Sequence, residues 1–382
     1  MIIVYCIDSI NGIGGIQHIT VEKANALAEM ENNDVWILHA EHSGIRYFSV
    51  SPKVNTVDLD INYYEDDWKS QWHVLKGIFF KRRKHKRRLK CALNKIHPDI
   101  VISVGQSEKN LVPAIRGKWA IIREFHFSRS YRLMSATTIF DKVLAIAGNM
   151  ADTFFLRQYD RIVVLTHEDK STHWKWFHNI DVIPNPKGLS NAPTASLKEN
   201  RVIAIGRLVY QKNFDSLIRA FSLVVDRFPS WNLAIFGEGS ERSSLENTIY
   251  QMGLSNSVRL MGQTQNVLEE LSSSSILAVS SRYEGFGLVI LEAMACGLPV
   301  VSYACPCGPK DIITDGIDGF LVPEGDEIIL AERICRLIED EELRKRMGAA
   351  AFERAKDYTL DKIIPMWMAL FEELIRQQKR QQ

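Results

Sequence analysis

The stretch ILAVSSRYEGFGLVILEAMACGLPVVSY spans residues 276–303. It opens on an apolar run, 276–280, and passes through Ser281-Arg-Tyr-Glu-Gly-Phe-Gly287 into 288–296, which has helical character. Gly297-Leu-Pro299 stops the helix, and 298–303 is a second apolar run. Strand, glycine-bearing loop, helix and strand in that order make one unit of a parallel sheet with its crossover. Two carboxylates, Glu284 and Glu292, stand eight positions apart around the Gly-Phe-Gly turn. Charges beside a run as apolar as Leu-Val-Ile-Leu are costly to bury unless they hold a partner.

The alternation continues upstream. RVIAIG (201–206) is a strand, 213–227 a helix, NLAIFG (232–237) a strand leading into Glu238-Gly-Ser240, and VRLMG (258–262) another strand. An earlier series starts with MIIVYCI (1–7), a fully apolar run suited to a strand buried on both faces. Asn11-Gly-Ile-Gly-Gly15 is a turn, 20–30 has helical periodicity, and 35–40, 100–105, 119–125 and 161–166 are further strands. The pattern breaks at Asp181-Val-Ile-Pro-Asn-Pro-Lys-Gly188, and the small, polar, proline-bearing 189–196 reads as a linker. The expected fold is therefore α/β, with two Rossmann-like doubly wound domains facing a cleft, divided into 1–186 and 187–359. In such sheets ligands bind beyond the carboxyl ends of the strands. The last segment, 360–382, reads as an amphipathic helix with Ile363, Ile364, Trp367, Leu370, Phe371 and Leu374 on one side.

Composition agrees with a two-domain globular chain: 382 residues, 46% hydrophobic and 24% charged. The net charge of +1 conceals a difference between the halves. Residues 1–190 carry 26 Lys/Arg against 20 Asp/Glu, whereas 191–382 carry 21 against 26. The six cysteines sit mostly in apolar surroundings, and the opening residues have no basic region or cleavage site, so reduced thiols in a cytoplasm are expected. Cys305-Pro-Cys307 without companion ligands is weak evidence for a metal or redox pair. No run reaches the length of a membrane span.

Gly285 and Gly287 permit close backbone approach and leave amides free at a helix N-terminus, an anion site. A Glu there does not favour phosphate, but it can accept hydrogen bonds from a vicinal diol. Glu292 on the helix and Glu284 in the loop thus suit the two sugars of a sugar nucleotide, with a diphosphate between them. By spacing alone, Glu284 could equally be a solvated loop residue and Glu292 a surface helix position. Arg207 at the end of one strand and Lys212 in the turn before a helix match a diphosphate, because Arg binds two oxygens at once. Alone, they could be an ordinary solvated pair.

Taken in order, Gly206-Arg-Leu…Lys212, Gly237-Glu-Gly239, Gly262, Glu284-Gly-Phe-Gly-(x4)-Glu292-Ala-Met-Ala-Cys-Gly-Leu-Pro-Val and Asp315-Gly-Ile-Asp-Gly-Phe-Leu-Val322 resemble the retaining glycosyltransferases of family 4, which have the GT-B fold. The resemblance is dense over 200–325 and looser over 1–190, where Gly14-Gly15 before a helix is the main correspondence. It implies that Arg207 and Lys212 bind the nucleotide diphosphate and stabilise it as leaving group. It implies that Glu284 contacts the donor hexose, Glu292 the ribose, and the amides of Gly285, Phe286 and Gly287, with Leu288 following, the donor. Gly14 and Gly15 would approach the phosphates from the other domain, Gly206 and Gly237 would line the same site, and Met261-Gly262 would flank the base. His126 in REFHFSRS falls where similar enzymes often keep a histidine near the reacting centre, although it could equally be a satisfied loop residue. The final helix, 360–382, would pack back on the first domain. Many relatives carry a glutamate where Asp311 stands, which leaves donor identity open.

The expected function is transfer of a hexose with retention, from a nucleotide diphosphate sugar, by family habit a UDP-sugar, to a saccharide acceptor. No Asp-x-Asp occurs in a site-like context, so no metal and no cofactor are expected. Lys81–Lys90 packs eight Lys/Arg into ten positions after the aromatic and aliphatic 68–80. That combination suits an anionic membrane surface, and a lipid-linked acceptor on the cytoplasmic leaflet would fit the resemblance. The run could also be a solvated helix face. No recognition module for nucleic acid accompanies it. A soluble acceptor, or non-catalytic binding of a sugar nucleotide or nucleic acid, are the alternatives. The intact set Arg207, Lys212, Glu284 and Glu292 argues against the last.

Overall fold

The structure is a computed structural model that describes residues 1–382 except 13, 43, 64–70, 137, 188–191 and 382, and it leaves the side chains of 71–78 and 381 undescribed. Part of the 68–90 segment and the start of the 189–196 linker therefore lie outside the described residues.

Two parallel sheets carry the chain. The first holds β1 (Ile2–Ile7), β2 (Asp34–His39), β3 (Val54–Asp58), β4 (Ile100–Ser103), β5 (Ala120–Glu124), β6 (Arg161–Val164) and β7 (Ile180–Val182), in the order β3-β2-β1-β4-β5-β6-β7. The second holds β8 (Arg201–Ile205), β9 (Asn232–Phe236), β10 (Val258–Gly262), β11 (Ile276–Val279), β12 (Val300–Tyr303) and β13 (Gly319–Val322), in the order β10-β9-β8-β11-β12-β13. Each order reverses once, between β1 and β4 and between β8 and β11, and those switch points are where a doubly wound sheet opens a crevice.

Burial follows the period of two. Ile3, Tyr5 and Ile7 of β1 join one core layer, while Val4 and Cys6 join the opposite one. The first layer is covered by the helix Gly15–Ala28 and by the helix Leu360–Gln381, although the latter is separated from this sheet by the whole second domain. All six residues of its expected apolar stripe are buried there, with Trp367 only 1% exposed. The opposite layer receives Leu89 and Leu93 from the basic helix Gln71–Ile96, and Leu156 from the helix Ile139–Leu156. The chain crosses between the sheets twice, and the crossings touch: the Lys187 amide donates to the Tyr358 carbonyl at 2.7 Å.

Three strands lie outside the sequence expectation. β3 is a sheet edge with polar residues facing out, β7 has three residues at the opposite edge, and β13 lies within the Asp315–Val322 motif. The first helix also begins five residues earlier than its periodicity suggests, at Gly15, so Gly14-Gly15 forms its N-terminus.

Candidate active site

The β8/β11 switch point brings together the two segments that carry the candidate donor residues. The loop after β8 contains Arg207 and ends in the turn Tyr210–Lys212, and the loop after β11 contains Ser281–Gly287. Several bonds tie them. The Arg282 amide donates to Gln211 O at 2.8 Å, Gln211 Nε2 to Tyr283 O at 2.9 Å, and Arg282 Nη2 to Asn213 Oδ1 at 2.7 Å. Asn213 itself adopts a left-handed conformation as it opens the helix Phe214–Arg227.

Within this frame Lys212 Nζ donates to Glu284 Oε1 at 2.6 Å, and Ser281 Oγ donates to the same oxygen at 2.6 Å. Lys212 and Glu284 are mostly buried. Gly206 leaves room for the lysine stem, since a Cβ there would stand 3.0 Å from Lys212 Cε. Arg207 is exposed and forms no ion pair among the described residues, which leaves its guanidinium available to an anion. Gly237 donates its amide to Gly262 O at 2.7 Å, so the loops after β9 and β10 continue the same rim, with Met261 exposed.

Glu292 lies in the helix Leu288–Ala295, which starts at Gly287 with φ +94°. Its Oε1 accepts from Lys187 Nζ at 3.0 Å, and both side chains are largely buried. Lys187 belongs to the crossing between the domains, within a segment whose sequence reads only as a break, and nothing in the residue pattern assigns it to the site. Its charge, together with burial, holds His18 down at about 4, burial being the larger cause, so that imidazole is neutral at neutral pH.

The first domain meets the second at this point. Gly285 faces the His126 carbonyl, and a Cβ on it would sit 2.2 Å from that oxygen. Only glycine allows the approach. A Cβ on Gly15 would stand 3.1 Å from Leu288 Cδ1, so the Gly14-Gly15 helix start abuts the donor-side helix. The Phe286 side chain turns into the core against Tyr358, leaving its backbone as the part available to a ligand. The His126 ring is buried, with Nε2 3.1 Å from Glu124 Oε1 but not aligned for a hydrogen bond. Glu124 is fully buried and also pairs with Lys23, whose ammonium lies 4.4 Å from the Trp367 ring centre. Burial pushes the Glu124 carboxyl up, but the charges of Lys23 and His126 hold it at about 2. Neither Glu124 nor Lys23 stands out in the sequence. Only the placement of Glu124 two positions before His126 hints at the pairing.

Asp311 has a structural partner: its carboxylate accepts from the His167 amide at 2.6 Å, at the start of the helix His167–His173 of the first domain. Beside it, Lys310 pairs with Glu168, and the Cys307 amide donates to Glu168 Oε2 at 2.8 Å. Cys307 Sγ lies 3.5 Å from Asp169 Oδ1, which also accepts from Ser128, and His173 Nε2 lies 2.9 Å from Ser130 Oγ. Asp169, His173 and Cys307 form a metal-capable cluster among the described residues. Their polar atoms already bond within the protein, and burial, with the Asp169 charge adding to it, pushes the Cys307 thiol up to about 12.

Two facing α/β domains with a polar site at the switch point of the second define a GT-B molecule. Sucrose-phosphate synthase from Thermosynechococcus elongatus superposes with a TM-score of 0.83 over 98% of this chain and 99% of that one, at 18% identity. HepE from Anabaena, solved in complex with UDP, gives 0.74 over 98% and 100%, at 15% identity.

The model of the family described as glycosyl transferases group 1 matches residues 189–354. An uncharacterized glycosyltransferase of Methanocaldococcus jannaschii is 32% identical over 279 residues, 61% of this chain and 68% of that protein. Amylovoran biosynthesis glycosyltransferase AmsD of Erwinia amylovora is 27% identical over 370 residues, 94% and 97% of the two chains. An exopolysaccharide phosphotransferase of Streptomyces coelicolor is 38% identical over 241 residues, 60% of this chain, and those residues make up only 25% of its own length. The chain belongs to the glycosyl transferases group 1 family and is a glycosyltransferase.

Proposed function

We propose that the chain transfers a hexose, with retention, from a UDP-sugar to a saccharide acceptor carried on a lipid, in the building of a bacterial-type surface glycan, without a metal ion. Residues 187–359 serve the donor and 1–186 the acceptor, with 360–382 completing the acceptor half. The observation that carries this reading is the Lys212–Glu284 pair at the β8/β11 switch point, with the exposed Arg207, which forms no ion pair among the described residues, on the same rim. The UDP bound by the similarly folded HepE and the exopolysaccharide in the name of the Streptomyces coelicolor relative support it.

Breaking the bond between the anomeric carbon and the phosphate oxygen leaves the electron pair on the diphosphate. Arg207, Lys212 and the amides of Gly285 to Gly287 are fixed positive groups that stabilise it without reorganising. The acceptor hydroxyl attacks from the face the diphosphate leaves, and a phosphate oxygen takes its proton. Glu284, anchored by Lys212 and Ser281, keeps Oε2 for hexose hydroxyls, and Glu292 keeps one oxygen for the ribose. Neither is a nucleophile. His126 closes the pocket from the acceptor side.

The enzyme works at the cytoplasmic face of the membrane. Arg82, Arg83, Lys86, Arg87 and Lys90 of the basic helix are exposed, and attraction to anionic headgroups of about 1 kcal/mol per side chain is expected. Among the described residues no helix is long and apolar enough to cross a membrane.

Donor hydrolysis across a panel of sugar nucleotides, for the wild type and for Lys212→Ala, tests the assignment. The variant is expected to lose about 10²–10³-fold in rate, the cost of removing one preorganised donor to a developing anion. Equal rates would remove the assignment.

A further inference from the structure

The first domain holds a second polar site that the donor chemistry does not use. Beyond the carboxyl ends of β4 and β5, a small pocket is lined by four cations, Lys109, Arg123, Arg129 and Arg132, with Asp152 as the one carboxylate in its wall. Arg123 is 1% exposed. Its Nη1 donates to Ser103 O, Ser103 Oγ and Gly105 O, and its Nε has no hydrogen-bond partner among the described residues. Arg129 lies over the rings of Trp174 and Phe177 and donates to His173 O and Thr153 Oγ1. Lys109 and Arg132 converge on Asp152 at 2.8 and 2.9 Å.

Two further acids lie near the group, and cations still outnumber carboxylates, since only Asp169 acts on Arg129 besides Asp152. Glu108 is turned to its own loop, where its oxygens accept from the Gly105 amide at 2.6 Å and from Ser107 Oγ at 3.0 Å, and burial, then the Asp8 charge, pushes its carboxyl up to about 8. Asp169, beyond Arg129, is engaged by Ser128 and by Trp174 Nε1. A buried guanidinium with an idle donor, among cations in excess of carboxylates, is a site for an anion with several oxygens.

One wall of this pocket is the helix Ile139–Leu156, through Asn149, Asp152 and Leu156. The rest of that helix is unusual. Ile139, Phe140, Val143, Leu144, Met150 and Phe154 are exposed, Ile139 by 83% and Phe140 by 70%, and only Ala145 and Leu156 are buried. An apolar helix surface of this extent marks a contact with protein or membrane. Its charge surroundings select between them: the helix lies on the same face of the sheet as the basic helix Gln71–Ile96, since Leu156, Leu89 and Leu93 share one core layer. A bare apolar helix, an exposed basic helix and a cationic pocket on one side of one domain match the hydrocarbon, the anionic surface and the phosphate of a membrane lipid.

We propose that the pocket binds the phosphate or diphosphate that joins the acceptor saccharide to its lipid carrier, with the hydrocarbon chain entering the bilayer along the exposed face of the 139–156 helix. This rests on the lipid-linked acceptor reading and gives it a location. No covalent step is involved. The carrier is held while its sugar reaches the cleft.

The test is co-sedimentation of the full chain with three kinds of vesicle: phosphatidylcholine alone, the same with a few per cent polyprenyl phosphate, and the same with an equal charge of phosphatidylglycerol. Polyprenyl phosphate is expected to raise binding about tenfold over phosphatidylcholine, an added free energy of about 1.4 kcal/mol, and more than phosphatidylglycerol does. Lys109→Gln with Arg132→Gln is expected to abolish that gain. Asp152→Asn is expected to enlarge it, an outcome that a merely destabilised variant does not give. Phe140→Ser with Phe154→Ser should weaken binding to all three. An equal gain from phosphatidylglycerol, or a gain that survives the Lys109/Arg132 change, would overturn the pocket. Full occupancy by inorganic pyrophosphate with no contribution from vesicles would overturn the lipid. Donor hydrolysis by wild type and Lys212→Ala needs no lipid, so the catalytic reading stands or falls separately.

Discussion

The loops at the carboxyl end of the second sheet are fastened to one another, whereas those of the first sheet frame a cationic pocket beside a bare apolar helix. On the donor side Lys212, Ser281 and Glu284 meet within 2.6 Å, and Arg282 and Gln211 stitch the two loops together. In the first domain four cations line a pocket with one carboxylate in its wall, which pairs with two of them, and Phe140 and Phe154 face outward. Under the proposed function the difference follows from what each half handles. A nucleotide diphosphate presents fixed charge and two polyols, so its site can be rigid and prearranged. The lipid-borne saccharide proposed as acceptor would arrive at a surface, and the half proposed to meet it keeps its apolar and basic groups exposed.

Four changes would sharpen or break this contrast. Trp367→Ala should be the most costly. The side chain is fully buried against the first domain, and its loss is expected to destabilise that domain by about 3–5 kcal/mol. Denaturation followed separately in the two domains should show the earlier transition in the first. Loss confined to the second would break the picture.

Gly285→Ala comes next. The added methyl meets the His126 carbonyl, so one domain must shift against the other. A displacement near 1 Å at a reacting centre costs about 10²-fold. Steady-state transfer should fall by that order with circular dichroism unchanged, and wild-type rates would show that the approach is not used.

Glu292→Gln should raise the donor KM about tenfold with little change in kcat, because a charge-assisted hydrogen bond made in both ground and transition states is weakened. A fall in kcat alone would place Glu292 at the reacting centre instead of the ribose.

The smallest effect concerns pH. Burial first, then the Asp8 charge, raises the Glu108 carboxyl to about 8 from its ordinary 4.5. Between those values the folded state keeps a proton that the unfolded chain releases, so stability from this group is complete at low pH and is lost as pH rises. Glu108→Gln should therefore reduce the fall in Tm between pH 6 and pH 8.5, by a few degrees on the scale of about 1 kcal/mol. An unchanged slope would show that Glu108 is ionised in the fold, and Arg123 would then have a counter-ion.

Much of the donor half was legible from residue order. Strands buried on both faces read as apolar runs, and the Gly-Phe-Gly turn marks the loop where Glu284 and Lys212 are brought together. The amphipathic 360–382 helix was legible for the same reason, since its six apolar residues share one stripe. β3 and β7 were not, because edge strands are short and half polar. Lys187, Glu124 and Lys23 were invisible for another reason: their partners are Glu292, 105 positions away, and one another, 101 positions apart. Local patterns carry periodicity, and a contact at such separation leaves no local trace. The exposed face of the 139–156 helix was missed because its sequence is apolar enough to pass for core.

That the 360–381 helix seals the sheet begun by residues 2–7 sets a timetable for biogenesis. During synthesis the opening sheet emerges with one face lacking its cover, and it must wait until the entire donor half has been translated before Trp367 and Phe371 arrive. Non-local closure of this kind is slow and leaves sticky surface exposed in the interval. The nascent first half is therefore the stage at which a chaperone would act on this molecule.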